Sequence, residues 1–314
     1  MTTIGLVGAR GHTGRELIRL LAERSDMSLA FAVSRAMDGQ PVTDMAPEGP
    51  AGLLFEALSP EAVAQRQCNA VILAMPNGQA APYVAAIEAV KPNTVIVDLS
   101  ADYRFDENWV YGLPELYGRD GIRGANRISN PGCYATAGQF AVAPMREVMD
   151  GPAHLFGVSG YSGAGTTPNR RNDVEALKDN LMPYALMGHI HEREMSRHLG
   201  HDVRFSPHVA AYFRGIVLTA QMEFSRPVSA AEFRQAYETA YGDEPLIRVQ
   251  DEAPEVIEGA NNPGAVLGGF ALSEDGRRGV MVCALDNLLK GAAVQAMQNL
   301  CLGLSLPEFA ERRD

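Results

Sequence analysis

The sequence predicts an α/β fold, with a parallel-sheet domain followed by a second, α+β domain. Three observations carry this. Short apolar runs alternate with helical patterns through the first part of the chain, as in a parallel sheet wrapped by helices. A glycine-rich loop joins the first apolar run to the first helical pattern. From Asn130 onward the strand-like segments become widely separated, with helical stretches between them.

Ile4-Gly5-Leu6-Val7 reads as the first strand, and Gly14 to Arg24 as a helix with Leu17, Ile18, Leu20 and Leu21 turned inward. Leu29 to Val33, Asn69 to Ala74 and Thr94 to Asp98 are expected as further strands. Gln79 to Val90 is expected as a helix that Pro92 terminates. In the second part, Leu155 to Ser159, Val217 to Phe224 and Gly279 to Leu285 are strand-like, whereas 172–180, 230–241 and 288–302 are helical in pattern. The expected division is a dinucleotide domain over 1–132, a catalytic and substrate domain over 133–287, and a C-terminal helix, 288–314, that packs back on the first domain.

The chain has 314 residues, enough for two ordinary domains. Hydrophobic residues make up 46% and charged residues 21%, the balance of a globular enzyme. A net charge of -11 disfavours non-specific attraction to nucleic acid or an anionic membrane. There is no run of 18 apolar residues and no basic region before the first strand, so neither a membrane span nor a signal peptide is expected. Cys68, Cys133, Cys283 and Cys301 form no CxxC pair. No disulfide framework or zinc knuckle is expected, and a reducing cytoplasm fits.

Gly8-Ala9-Arg10-Gly11-His12-Thr13-Gly14 follows the first strand and opens a helix with GxxGxxG spacing, a variant of the Rossmann dinucleotide fingerprint. Glycines allow the tight turn and the close approach of a pyrophosphate to the helix N-terminus. About 20 residues on, NAD enzymes place a carboxylate on the ribose hydroxyls. Here Ser34-Arg35 stands instead. A hydroxyl and a guanidinium suit a 2′-phosphate, so NADP is the expected cofactor.

Asn130-Pro131-Gly132-Cys133-Tyr134-Ala135-Thr136 puts a cysteine after a Pro-Gly turn and before an apolar helical run, Ala137 to Met145. A helix N-terminus favours thiolate over thiol, and its free N–H groups suit an acyl oxyanion. The same pattern also suits a buried packing cysteine, and both readings stand at this point. Cys68, Cys283 and Cys301 read as small buried hydrophobes. Gly188-His189-Ile190-His191-Glu192-Arg193-Glu194 offers acid-base histidines. Its rival reading, an HxH metal pair, lacks a third ligand at recognisable spacing, so no metal is expected.

Several segments together resemble the N-acetyl-γ-glutamyl-phosphate reductase family. These are GARGHTG, VDLSADYRF (97–105), YGLPEL (111–116), NPGCYAT, SGYSGAG (159–165), GHIHERE (188–194) and ALDNLLKGAAVQAMQN (284–299). They span nearly the whole chain. The resemblance extends to the larger group holding the aspartate-semialdehyde and glyceraldehyde-3-phosphate dehydrogenases, and implies a Rossmann domain, an α+β catalytic domain and a homotetramer or homodimer. It further implies Cys133 as nucleophile and His191, rather than His189, as general acid/base, with Arg104 at the substrate phosphate. Ser162 and Gly163 would line the cofactor and substrate cleft, and Asn287 would bond the nicotinamide carboxamide. Apart from the resemblance, Asn130, His189 and Arg214, the last in Tyr212-Phe213-Arg214-Gly215, are expected at the substrate. Two departures stand out: Thr166-Thr167-Pro168-Asn169-Arg170-Arg171 follows SGYSGAG where arginine is usual, and Arg193 replaces a usual proline.

The implied reaction is NADPH-dependent reduction of an acyl phosphate through a cysteine thioester, with release of inorganic phosphate, in arginine biosynthesis. Sister reductases acting on aspartyl phosphate or a carrier-bound aminoadipyl phosphate are the alternatives within the same chemistry. A non-catalytic NADP-binding sensor is the alternative outside it, and leaves the pairing of Cys133 with His191 unexplained.

Overall fold

Every apolar run expected as a strand in the first part of the chain is one, and all of them lie parallel. The computed structural model describes residues 1–308. The chain divides into two compact units: Met1–Pro131 with the segment from Ala292 onward, and Gly132–Gly291.

The first unit holds a seven-stranded sheet of β1 (Thr2–Val7), β2 (Met27–Val33), β3 (Phe55–Glu56), β4 (Ala70–Leu73), β5 (Val95–Asp98), β6 (Val110–Tyr111) and β7 (Arg127–Ser129), in the order β3-β2-β1-β4-β5-β7-β6. β4 and β5 are buried throughout, as parallel strands covered on both faces must be. Alternation sorts their side chains into two cores. Ala70, Ile72, Val95 and Val97 join Leu17, Ile18 and Leu21 of the first helix, His12–Ala22, on one face. Val71, Leu73 and Ile96 join Val84 and Ile87 of the helix Ala81–Val90 on the other. Leu300 and Cys301 of the last helix, Val294–Gly303, enter the first of these cores.

The strand order reverses between β1 and β4, the switch point at which open α/β sheets bind ligands. Gly8 leaves β1 there with φ +84, and a Cβ on it would stand 2.3 Å from the Ala74 carbonyl oxygen. Gly14 is as constrained: its Cβ would lie 2.2 Å from the Ala9 carbonyl oxygen. Gly11 differs, meeting only the Gly8 oxygen at 3.8 Å. The outer glycines serve the chain's own turn, while the middle one leaves open space.

The second unit holds a mixed seven-stranded sheet of β8 (Ala153–Gly160), β9 (Leu181–Pro183), β10 (Val203–Ala210), β11 (Ile216–Glu223), β12 (Ile247–Val249), β13 (Ala265–Leu272) and β14 (Arg278–Leu285), ordered β12-β13-β14-β11-β8-β10-β9. The helices Cys133–Val142 and Ala230–Tyr241 belong to this unit, and hydroxyl bonds tie them together. Tyr237 donates to the Ala141 carbonyl at 2.5 Å and Tyr241 to that of Phe140 at 2.9 Å.

Three expectations are corrected. The helix expected over 172–180 shrinks to Val174–Leu177. Asp173 caps its start, and Lys178 turns extended before Asp179, which has φ 53. The apolar run 137–145 is not one helix: after Val142 the chain tightens to a 3-10 turn, Ala143–Val148, around Pro144, which has no N–H to continue an α-helix. The segment 288–302 begins as a π-turn, Leu289–Ala293, before becoming α-helical, and the tail 309–314 of the expected helix lies outside the described residues. β10 went unread because Pro207 interrupts it, yet β10 pairs parallel with β8 and antiparallel with β9.

Replacing Gly14 by alanine is expected to cost about 1–3 kcal/mol, the usual range for overpacking. Urea denaturation of variant and parent checks this, and an unchanged midpoint would show that the turn yields without strain.

Candidate active site

Cys133 is the first residue of its helix. The residue before it, Gly132, is extended and offers no side-chain cap, and no acidic residue lies in the first turn. The positive end of the helix therefore falls on the cysteine. Gly132 is fixed by its own N–H, which donates to the fully buried Glu194 carboxylate at 2.8 Å. From the other side Gly291 closes in, where a Cβ would stand 2.7 Å from that of Cys133. Only glycine allows that approach.

Glu194 belongs to the helix Ile190–Leu199, which also carries the histidines. They are not in an extended segment. His189 is the N-cap residue, and its Nδ1 accepts the His191 N–H at 3.1 Å. That bond places the proton of a neutral His189 on Nε2. The two rings lie 4.8 Å apart, inclined at 71°, and Tyr134, Tyr184 and Phe205 pack edgewise on His189. Burial, aided by the positive charge of Arg171, lowers the His189 pKa to about 4. Burial likewise pushes the Tyr184 hydroxyl well above its ordinary value, with a further push from the Cys133 sulfur.

Cys133, His189 and His191 line one pocket of about 140 Å³, together with Tyr184, Gly163 and Arg171. Of the remaining expected residues in this unit, Ser162 and Asn287 meet: the Asn287 amide donates to Ser162 Oγ at 2.9 Å and accepts the Gly215 N–H at 2.8 Å. Arg214 does not line the pocket. Its guanidinium lies 3.0 Å from buried Asp286 and donates to Asn261 at 2.7 Å. Cys283 and Cys301 are buried, with burial pushing their thiols up to about 12 and about 11.

In the first unit, the cofactor-loop residues Gly8, Arg10, Gly11, His12, Thr13 and Gly14 surround an N-terminus with no side-chain cap and no acid in its first turn. Ser34 ends β2 with its N–H on the Glu56 carbonyl, and its buried Oγ has no hydrogen-bond partner. Arg35 beside it is exposed. An open glycine, an uncapped helix and an orphaned hydroxyl next to a guanidinium fit a phosphorylated dinucleotide. Arg104 is buried and donates to the carbonyls of Asn130 at 2.9 Å and Leu99 at 2.8 Å. The Asn130 side chain bonds Asn299 at 2.8 Å and the Ala292 carbonyl at 3.3 Å. Both brace the end of β7.

Arg171, Tyr184, Glu194 and Gly291 were not singled out by sequence reasoning. Arg171 lies in the segment that departs from the usual pattern after SGYSGAG, and Glu194 and Gly291 lie within GHIHERE and ALDNLLKGAAVQAMQN, where no role was read for them.

Two family descriptions match the chain: the semialdehyde dehydrogenase NAD binding domain over residues 3–125, and the semialdehyde dehydrogenase dimerisation domain over residues 133–287. The fold agrees. Aspartate semialdehyde dehydrogenase II from Vibrio cholerae, complexed with ASA, superposes with a TM-score of 0.75 at 15% identity, over 97% of this chain and 98% of that one. The Candida albicans enzyme with NADP gives 0.74 at 14% identity, over 98% and 100%. The class is thus an oxidoreductase of semialdehyde dehydrogenase type. N-acetyl-gamma-glutamyl-phosphate reductase of Stenotrophomonas maltophilia (strain R551-3) is 56% identical, over 98% of this chain and 96% of that protein. That of Xanthomonas campestris pv. campestris is 53% identical, over 98% and 97%. The chain belongs to the N-acetyl-gamma-glutamyl-phosphate reductase family.

A histidine whose pKa is lowered on folding, here from 6.5 to about 4, binds fewer protons folded than unfolded between those values. Stability therefore falls as pH drops through that window. Asparagine at 189 keeps an N-cap acceptor and removes the titration. The drop in Tm between pH 7.5 and pH 5 should accordingly be smaller in His189→Asn than in the parent, and equal drops would place the lost protons elsewhere.

Proposed function

We propose that this chain reduces N-acetyl-γ-glutamyl phosphate to N-acetylglutamate semialdehyde and inorganic phosphate, with NADPH, through a thioester on Cys133. The observation that carries the proposal is the shared pocket of an uncapped helix-terminal cysteine and two histidines.

The Cys133 thiolate attacks the γ-acyl carbon, and the bond from that carbon to the phosphate oxygen breaks, phosphate leaving with the electron pair. The N–H groups at the start of the cysteine helix suit the oxyanion formed on the way. A dinucleotide, when bound, would supply the hydride that reduces the thioester. Collapse of the resulting thiohemiacetal returns the sulfur as thiolate and frees the aldehyde. His191 suits the proton transfers to and from sulfur and oxygen. His189 suits them less, because its Nδ1 is engaged by the His191 N–H and its proton affinity is low.

The glycine loop, with Ser34 and Arg35, would hold NADP. Arg10, His12 and Thr13 would serve the pyrophosphate, and Ser162, Gly163 and Asn287 the nicotinamide end. Arg104 and Asn130 are assigned to shaping the phosphate-leaving side through the backbone they brace. Arg214, paired with Asp286, would order the loop before β11. A homodimer or homotetramer is supported by the sheet of the second unit. Phe156, 42% exposed, shares a cross-strand row with Thr219 and Val282 on an open face. No helix among the described residues is long and apolar enough to cross a membrane, and a cytoplasmic place in arginine biosynthesis is proposed.

Cys133→Ala should lower phosphate-dependent NADP reduction by N-acetylglutamate semialdehyde at least about 10⁴-fold, as expected for loss of a covalent nucleophile. Retention of a tenth of the rate would refute the thioester route. The double change S34A/R35A should raise the KM for NADPH roughly tenfold or more, by loss of charge-assisted bonds, while leaving that for NADH nearly constant. Equal effects on both would move the 2′-phosphate elsewhere.

A further inference from the structure

We infer that Arg171 is the residue that selects the substrate by binding its α-carboxylate, an inference that rests on the reaction proposed above. Arg171 is half-buried and lines the pocket that holds Cys133, His189 and His191. Among the described residues, no other lysine or arginine lines that pocket. Its guanidinium lies over the Tyr184 ring, 4.8 Å from the centroid. Stacking fixes the guanidinium plane and leaves its N–H edge to receive a planar anion in a fork.

The backbone that presents it is braced. Asn169 accepts the Arg171 N–H at 3.0 Å, Asn172 accepts the Asn169 N–H at 2.8 Å, and the Asn172 amide donates to the carbonyls of Gly165 and Thr167 at 2.9 and 2.8 Å. Among the described residues, no carboxylate pairs with Arg171. Surface arginines nearby do find such partners, as Arg204 does with Asp202 at 2.7 Å. A half-buried cation that shares its pocket with a neutral histidine and a protonated tyrosine, and with no carboxylate among the described residues, is matched by a substrate anion.

The acyl phosphate carries two anionic groups. The phosphate must depart from the carbon that the sulfur attacks, whereas the α-carboxylate stays with the chain through every step. A stacked, geometrically fixed fork suits the group that remains and sets the register of the chain against Cys133. It also explains selection. An analogue without the carboxylate leaves the half-buried guanidinium without its anion, the arrangement by which a polar site rejects a near-isostere.

The test compares two aldehydes in the phosphate-dependent direction: N-acetylglutamate semialdehyde, and the same acetamido aldehyde lacking its carboxylate. The parent enzyme should favour the first by about 30- to 100-fold in kcat/KM, the range for a charge-assisted pair. Arg171→Met should erase that preference by lowering only the first value, with the KM for phosphate unchanged, and Arg171→Lys should restore part of it. The rate of Cys133 alkylation by iodoacetamide, a neutral reagent, reports whether the variant pocket is intact. Equal falls for both aldehydes, or a raised KM for phosphate with the preference intact, would overturn the assignment. A parent enzyme that oxidises both aldehydes alike would do so without any variant. A parent that oxidises neither removes the underlying reaction, and this inference with it.

Discussion

The chemistry proposed for this chain depends on one hydrogen bond, from the Gly132 N–H to the buried carboxylate of Glu194. It joins the start of the cysteine helix to the interior of the histidine helix. By fixing the residue before Cys133 it sets where the sulfur sits, and by fixing Glu194 it sets the helix whose first turn carries His191. The bond occupies the N–H of the residue that precedes the helix. A buried carboxylate also demands such a partner, so removing either side leaves an uncompensated group in the interior.

Around that joint the pocket is tuned by burial more than by charge. Tyr134 and Tyr184 are held as neutral phenols, chiefly by desolvation. His189 is held neutral in the same way, and its Nδ1 is spent on its own helix. One histidine thus caps and shapes its helix, and the proton transfers proposed above fall to the other. Glycines complete the arrangement by omission. Gly291 admits Cys133 at a distance that any side chain would forbid, just as Gly8 and Gly14 admit their neighbouring carbonyls in the first unit.

The two units solve their core problems differently. The first covers a parallel sheet on both faces, so its strands are unbroken apolar runs and announce themselves. The second covers a mixed sheet in which exposed and buried positions alternate, as along β10, whose Pro207 further disguises the strand. Alternation with a proline in it resembles a loop in one dimension, which is why β10 was illegible. The helix expected over 172–180 failed for a local reason of a different kind. Asp173 starts a helix well, but the residues after Leu177 leave helical geometry to reach β9.

Sequence by itself determined what local pattern controls. It specified the strands of the first unit, the glycine turn with Ser34 and Arg35 at the end of β2, and a cysteine at the head of a helix, because periodicity and turn chemistry act over a few residues. Tertiary structure decided what requires distant residues to meet. Glu194 reaches Gly132 across 62 positions, Asn287 reaches Ser162 across 125, and Arg171 comes to share a pocket with Cys133. It also decided against apparent availability: Arg104 is spent on the carbonyls of Leu99 and Asn130, and Arg214 on Asp286 and Asn261. A guanidinium looks the same in a sequence whether it will meet a backbone carbonyl, a buried carboxylate or a substrate. The difference is made by packing, which places the rest of the fold around it.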